Sequence, residues 1–357
     1  MYRRNRAAVY LVRAGWSAVV VFSIVVAPRY LGIRSVRRAE VPSIRTVTLL
    51  AFGDVNLGRM VGQRILSGDL NYPFRNISLQ RDSAEIVFAN LESQLSDQKG
   101  ETQDPVHNLI FTGPPNGGRT LANFGLAYVS TANNHAYDYG KRALLETLDH
   151  LDQENIGHFG TARSPRALYE PLMVEKNGIR FAFFAVTDLM NFKHGWHDYV
   201  AVTDSSKLFP AIREAAASAD VVVLSVHGGD EYSDIPMRRL TAFEEESIAQ
   251  GVTIVLGHHP HVPYGIRHVG KGYIIHSLGN FVFYQPQLFW TQLSFAVTIV
   301  VEKKSDTTAV SSVECIPLQA GYQPSVLTDS GNVNRLLSRM QSLSNIPIIL
   351  SRRGVLH

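Results

Sequence analysis

Cysteine is almost absent from this chain: Cys315 is the only one. A disulfide framework within the chain and any multi-cysteine zinc or iron–sulfur site are therefore excluded. A lone cysteine in a β-prone run reads as a small core residue. Charge is modest too, with 18% charged residues and a formal net charge of +3. The basic excess sits mainly ahead of residue 40, which points that segment toward a membrane or export role and away from nucleic acid. Internal repeats and low-complexity tracts are also lacking. What is present in quantity is chain length and histidine. The 357 residues can bury a large core, as one big domain or two modest ones, and several of the 13 histidines are clustered.

Arg3, Arg4 and Arg6 precede an uncharged apolar run from Ala14 to Pro28. That run is short for a full span unless Arg13 snorkels to the interface. Pro28 follows directly after the best cleavage position, Ala27, and disfavours processing. Arg29, Arg34, Arg37 and Arg38 then blunt the charge asymmetry that would set orientation. We read residues 1–45 as an uncleaved signal anchor with its N-terminus inside, followed by a basic linker, in preference to a cleaved signal peptide. This reading places the folded domain outside the cytoplasmic membrane on a single N-terminal span.

From residue 46 onward, apolar strand patterns alternate with helical ones. Thr46–Phe52, Ala84–Ala89, Ala127–Ser130, Ala219–Val226, Val252–Leu256 and Tyr273–Ile275 read as strands. Val61–Leu66, Met237–Gln250 and the face made by Leu144, Leu145, Leu148 and Leu151 read as helices. Leu172–Lys176 and Ile179–Val186 flank Asn177-Gly178, a two-residue hairpin signal. Phe295–Glu302 and Ala309–Ile316 read as a closing antiparallel pair. The alternation implies an α/β core with its chemistry at strand carboxyl ends, and the hairpins call for mixed sheets. Residues 96–118, rich in Gly, Pro, Asp and Asn, form a long loop. Its length and its place after Glu92 suggest that it borders the substrate cleft. The domain is expected over 46–320, with a peripheral tail over 321–357.

The strands end in polar side chains that can bind a metal: Asp54, Glu92, Asn134 with His135, His227, the histidines of 258–261, and Asn280. Any one of them would serve as a turn or a cap. Buried strands of one core have no shared structural need for all of them. Carboxylate, imidazole and amide oxygen without thiolate suit Mn, Fe or Zn better than a soft metal. His259 and His261 are two apart, so an extended segment would turn both imidazoles toward one centre and leave His258 facing the other way, toward a supporting partner. In Thr131–Gly140, Asn133, Asn134, His135 and Asp138 crowd a turn between a strand and a helix.

The motifs run in order from residue 46 to about 285: Gly53-Asp-Val-Asn-Leu-Gly-Arg59, Asn90-Leu-Glu92, Ala132-Asn-Asn-His135 with Asp138 and Gly140, His227 with Glu231-Tyr232, Gly257-His-His-Pro-His261, and Ser277-Leu-Gly-Asn-Phe281. Together they make the sequence resemble the poly-γ-glutamate capsule biosynthesis family (CapA, also called PgsA). The fold of that family is similar to that of calcineurin-type metallophosphoesterases. The resemblance implies a four-layer αββα sandwich of two mixed sheets, with a dinuclear metal site where the strand ends converge. It implies Asp54, Glu92, Asn134, His227, His259 and His261 as ligands of two divalent ions, Mn, Fe or Zn. It also implies His135 as the proton donor, with Asp138 among the catalytic residues and Arg59 steadying an anionic substrate. The two ions would activate water and clamp the attacked centre while His135 protonates the leaving group.

The expected function is that of a metal-dependent, hydrolase-like protein acting on an anionic polymer or its precursor. It would work at the membrane beside capsule synthesis proteins. A non-catalytic polymer-binding component and a general extracytoplasmic phosphoesterase stand as alternatives. Departures from the phosphoesterase pattern are local. Asn56 stands where Asp-x-His would place an imidazole, Glu92 stands roughly where a bridging Asp is usual, and His227-Gly-Gly229 replaces the family's His-Trp-Gly.

Overall fold

The computed structural model describes residues 44–80 and 84–352. The apolar run Ala14–Pro28, the basic linker up to residue 43 and residues 353–357 lie outside the described residues. Among the described residues no helix is long and apolar enough to cross a membrane.

The chain opens with β1 (Ile44–Val55), α1 (Arg59–Leu66) and β2 (Ile86–Leu91), then a short parallel pair, β3 (Gln94–Leu95) and β4 (Thr112–Gly113). It continues through α2 (Gly117–Phe124), β5 (Tyr128–Ser130), α3 (Gly140–Gln153) and β6 (Gly157–Phe159). Next come β7 (Leu172–Lys176), β8 (Ile179–Thr187), α4 (Ser205–Ala216), β9 (Val221–His227) and α5 (Arg238–Gln250). β10 (Ile254–His258), β11 (Ile266–Val269), β12 (Gly272–Ile275) and β13 (Asn280–Val282) follow. β14 (Leu293–Lys304), β15 (Thr307–Gln319), β16 (Ser325–Val326) and α6 (Ser330–Ser342) close the order.

One sheet runs β16-β15-β14-β1-β2-β5-β6, with β13 also paired to β1, and the other runs β11-β12-β10-β9-β8-β7. Both are mixed. β1 lies parallel to β2 and antiparallel to β14, while β9 lies parallel to β8 and β10. β7 and β11 pair antiparallel with their neighbours. Asn177 and Gly178 take φ values of 49° and 70°, the left-handed pair that a tight hairpin between β7 and β8 requires.

Alternation along the strands sorts their side chains into three apolar layers. Leu49, Ala51 and Phe88 of the first sheet share one core with Phe183, Val223 and Leu256 of the second. The other face of the first sheet, through Leu50, Phe52 and Val87, packs with Val61, Leu121 and Leu151 from α1, α2 and α3. The other face of the second, through Phe184, Leu224 and Val255, packs with Leu208 and Leu240 from α4 and α5. The result is helix, sheet, sheet, helix: the expected four-layer sandwich. Cys315 is buried in β15, as a small core residue should be. In α6, Leu336 and Met340 are fully buried and join the core between the sheets.

Candidate metal centre

The parallel strands of both sheets deliver their carboxyl ends to one place. Asp54 on β1 is in register with Asn90 on β2, and Glu92 follows directly after β2. Across the sandwich, His227 at the end of β9 is in register with His258 at the end of β10. Two motif glycines make the approach possible. A Cβ at Gly53 would stand 1.8 Å from Gly279 O, and one at Gly257 would stand 2.0 Å from His276 O. Any side chain at either position would push the strand ends apart.

Glu92 is the hub. It is fully buried, and neither of its carboxylate oxygens has a hydrogen-bond partner. Its Oε1 lies 3.7 Å from His261 Nε2, 3.9 Å from His227 Nε2 and 3.9 Å from His135 Nε2. Glu92 forms one ligand group with His259 and His261, and a second with Asp54 and His227. Asn134 adds its amide oxygen, 2.8 Å from His227 Nε2, so both atoms aim at one point. An unpaired carboxylate in a protein interior costs several kcal/mol. Two cations sharing Glu92 would satisfy both of its oxygens, so the residues present fit a dinuclear centre.

The protonation states of the imidazoles and of Asp54 agree with that fit. Burial, reinforced by neighbouring histidines, holds His227 well below the usual imidazole range. Burial likewise pushes His259 down to about 3 and lowers His261. Neutral imidazole is the metal-binding form. Burial and the adjacent Asp54 carboxylate raise Glu92 well above the ordinary carboxyl range. For Asp54, burial works against ionisation but the His258 and His261 imidazoles and the Asn90 amide outweigh it, and its carboxyl is lowered.

Around these ligands the structure supplies holders. Asn280 Oδ1 sits 2.9 Å from His261 Nδ1, which leaves Nε2 directed at Glu92. Asn90 Nδ2 donates to Asp54 Oδ1 at 2.9 Å. His258 Nδ1 lies 3.2 Å from the same oxygen without completing a hydrogen bond, so His258 packs against the Asp54 side of the centre and does not face away from it. The reason His259 and His261 converge differs from the extended segment that their spacing suggests. Both take left-handed backbone conformations, φ 96° and 58°, so a strained turn aims them. Such strain in non-glycine residues concentrates at working sites.

His135 stands beside the ligands. Its Nδ1 lies 2.8 Å from Asp138 Oδ2, which directs Nε2 toward Glu92. Asp138 is 7% exposed and thus part of the buried site. Arg59 is half-buried, its guanidinium carbon 4.6 Å from the Phe111 ring centre and 5.8 Å from that of Phe283. Its place at the centre is therefore built by packing. Asn56 closes a turn instead of offering a ligand, its Oδ1 accepting from Gly58 N at 2.7 Å.

Comparison with known proteins decides the family. The description "bacterial capsule synthesis protein PGA_cap" matches residues 48–285, a span that holds every ligand above. The chain belongs to the PGA_cap family. Among similar PGA_cap-type proteins, the capsule biosynthesis protein CapA of Bacillus anthracis is 25% identical over 311 residues, 82% of this chain and 72% of its own length. The PGA biosynthesis protein CapA of Bacillus subtilis (strain 168) is 26% identical over 317 residues, 86% of this chain and 82% of its own. Solved structures with weaker likeness include a phosphatase from Mycoplasma pneumoniae, at 17% identity and TM-score 0.44, covering 78% of this chain and 95% of its own. Another is the calcineurin-like phosphoesterase YfkN from Bacillus subtilis, at 11% identity and TM-score 0.40, covering 84% of this chain and 98% of its own.

Two features of this PGA_cap chain escape its motifs. Asn191, exposed on the loop after β8, accepts from Asn134 Nδ2 at 3.1 Å and places its own Nδ2 3.3 Å from His135 Nδ1. The strand-end logic that found the other residues would have found it too, had it been extended to β8. The glycine at 228 has a local cause: a Cβ there would stand 2.5 Å from Asp188 Cβ. Asp188 is fixed by Arg239 and by Thr203, so its Cβ stays in the place where a side chain at 228 would start.

Proposed function

We propose that this chain is a metal-dependent, hydrolase-like protein acting on an anionic capsule polymer or its precursor, with poly-γ-glutamate as the polymer class. Its N-terminal segment would tether it to the membrane, with the domain outside the cytoplasm beside other capsule synthesis proteins. The supporting observation is Glu92, a buried carboxyl without a hydrogen-bond donor, ringed by the imidazoles of His135, His227 and His261 and shared by two ligand groups.

Divalent ions held by Asp54, Glu92, Asn134, His227, His259 and His261 would supply Lewis-acid activation of water and neutralise charge on the attacked group. The chain's own residues do the rest. Asp138 holds the Nδ1 proton of His135 and stabilises its imidazolium, so the Nε2 proton is the one given to the leaving group. Arg59 pairs with an anionic group of the substrate. Asn134 and His135, adjacent in one turn, thereby divide metal binding from proton transfer.

The test uses the full chain, with metal analysis and hydrolysis of polymer and phosphoester probes. His261→Ala should lose metal and activity together. His135→Ala should keep metal and lose about 10²–10⁴-fold in rate. Full activity in His135→Ala, or a wild-type protein that binds no divalent ion, would refute the reading. Asn56 favours a second possibility, since its turn-closing hydrogen bond gives the centre one imidazole fewer than the phosphoesterase pattern. In that case metal and polymer are bound and no bond is cleaved, with binding indifferent to His135→Ala.

A further inference from the structure

The long loop between β2 and α2 brings to the centre a buried ring that no motif marks. Phe111 is 1% exposed and immediately precedes β4. Its ring stacks on the His135 imidazole, with centroids 4.1 Å and planes 28° apart. The Arg59 guanidinium carbon lies 4.6 Å from the same ring centre. Its backbone N–H donates at 3.0 Å to Asp138 Oδ2, the oxygen that also faces His135 Nδ1. One residue therefore touches the proton donor, the carboxylate that orients it, and the arginine.

The same loop grips Arg59 along its length. Arg59 Nη2 donates to Asn108 O at 3.0 Å, and Arg59 N donates to Thr102 O at 2.8 Å. Thr102 Oγ1 returns a bond to Arg59 O at 2.8 Å. Arg59 has φ 53°, a left-handed conformation that is unfavourable for a non-glycine residue. These loop contacts hold it there. Its Nε is buried and has no hydrogen-bond partner. Phe283 closes the other side of the packing, its ring 6.1 Å from that of Phe111 in an edge contact.

We infer that Phe111 is a positioning residue, which sets the distance between Arg59, where an oxyanion of the substrate is gripped, and His135, which supplies the proton. The role given to His135 rests on the proposed function; the oxyanion grip at Arg59 does not require turnover. Because Phe111 acts through Arg59 on binding and through His135 on rate, its removal affects both. A loss at either residue alone affects one.

The experiment measures inorganic phosphate binding to the full-length, Mn-loaded protein by calorimetry. It compares wild type, Phe111→Leu, Arg59→Gln and the double variant, with metal content checked in each. Phe111→Leu should weaken phosphate binding about five- to tenfold, between the values of an exposed and a desolvated cation–π contact, as suits a half-buried arginine. The double variant should bind no more weakly than Arg59→Gln alone, since the ring acts through the arginine. Phe111→Tyr, which keeps a ring, should restore most of the affinity. Should Phe111→Leu fail to fold, Arg59→Lys keeps the charge and removes the planar stack, and is expected to lose affinity likewise. Where turnover is measurable, Phe111→Leu should raise KM and lower kcat, whereas His135→Ala lowers kcat alone. Unchanged phosphate affinity in Phe111→Leu, or additive losses in the double variant, would overturn the inference and leave the hydrolase reading standing. A wild type without turnover would overturn the hydrolase reading and leave the phosphate measurement valid.

Discussion

Replacing Glu92 by Gln should change stability in opposite directions with and without metal. In metal-free protein the wild-type carboxylate is fully buried and unpartnered. A glutamine amide has nearly the same shape, carries no charge, and can donate to the neutral imidazoles that face it. Each pKa unit by which burial and Asp54 raise Glu92 corresponds to about 1.4 kcal/mol. The gain from Gln at neutral pH should therefore be about 1–3 kcal/mol, or roughly 2–6 °C in Tm for a domain of this size. The pH dependence has a definite sign. Glu92 has a raised folded-state pKa, so its contribution is fully present below the ordinary carboxyl pKa and is lost as pH rises through the raised value. The gap between the variant and wild type should widen from about pH 5 upward. With metal the order reverses, because each of two ions at 100 times its Kd adds about 2.7 kcal/mol to wild type, and the variant has lost the shared ligand. Scanning calorimetry in chelator and in excess Mn, across that pH range, reads all of these. A Gln variant that melts below wild type in chelator would refute the reasoning, as would one that keeps the full metal-induced shift.

Asn191→Ala removes the acceptor that fixes the Asn134 amide, so metal affinity should fall several-fold while the melting temperature in chelator stays within about 1 °C; a change in chelator alone would make Asn191 merely structural. Reporter fusions joined after residue 40 should be active only where the reporter requires export, and activity of a cytoplasm-only reporter would rule out the tethered, outward-facing topology.

The site was readable because each ligand ends a buried strand, and a polar residue at such an end has few structural reasons to be there. Asp54, Glu92, His227 and the 258–261 histidines all follow that rule, and their strands do run into one centre. The reason for the histidine pair was misread, since spacing alone cannot reveal a left-handed turn at His259 and His261. Arg59 is set in place by packing against Phe111 and Phe283, contacts that no local sequence pattern carries. Phe111 itself gave no signal, because one phenylalanine in a polar loop is indistinguishable from any other buried anchor. Helix α4 escaped for a local reason: Pro210 lies inside it, and a proline argues against a helix interior. It forms nonetheless, with Asp204 capping its start and Leu208 and Ile212 buried.

The centre draws its ligands from both sheets, the earliest from β1 and the latest from the turn after β10. No shorter piece of the chain contains it. A nascent chain that has not reached His261 lacks the group of Glu92, His259 and His261, and one whose sheets have not closed has the side chains but no common point. Ion capture at this centre would thus be among the last events of folding, and once made would tie strand ends from opposite layers together. For a domain exported before it folds, the ions available where folding finishes, and not those where synthesis occurs, would choose the metal.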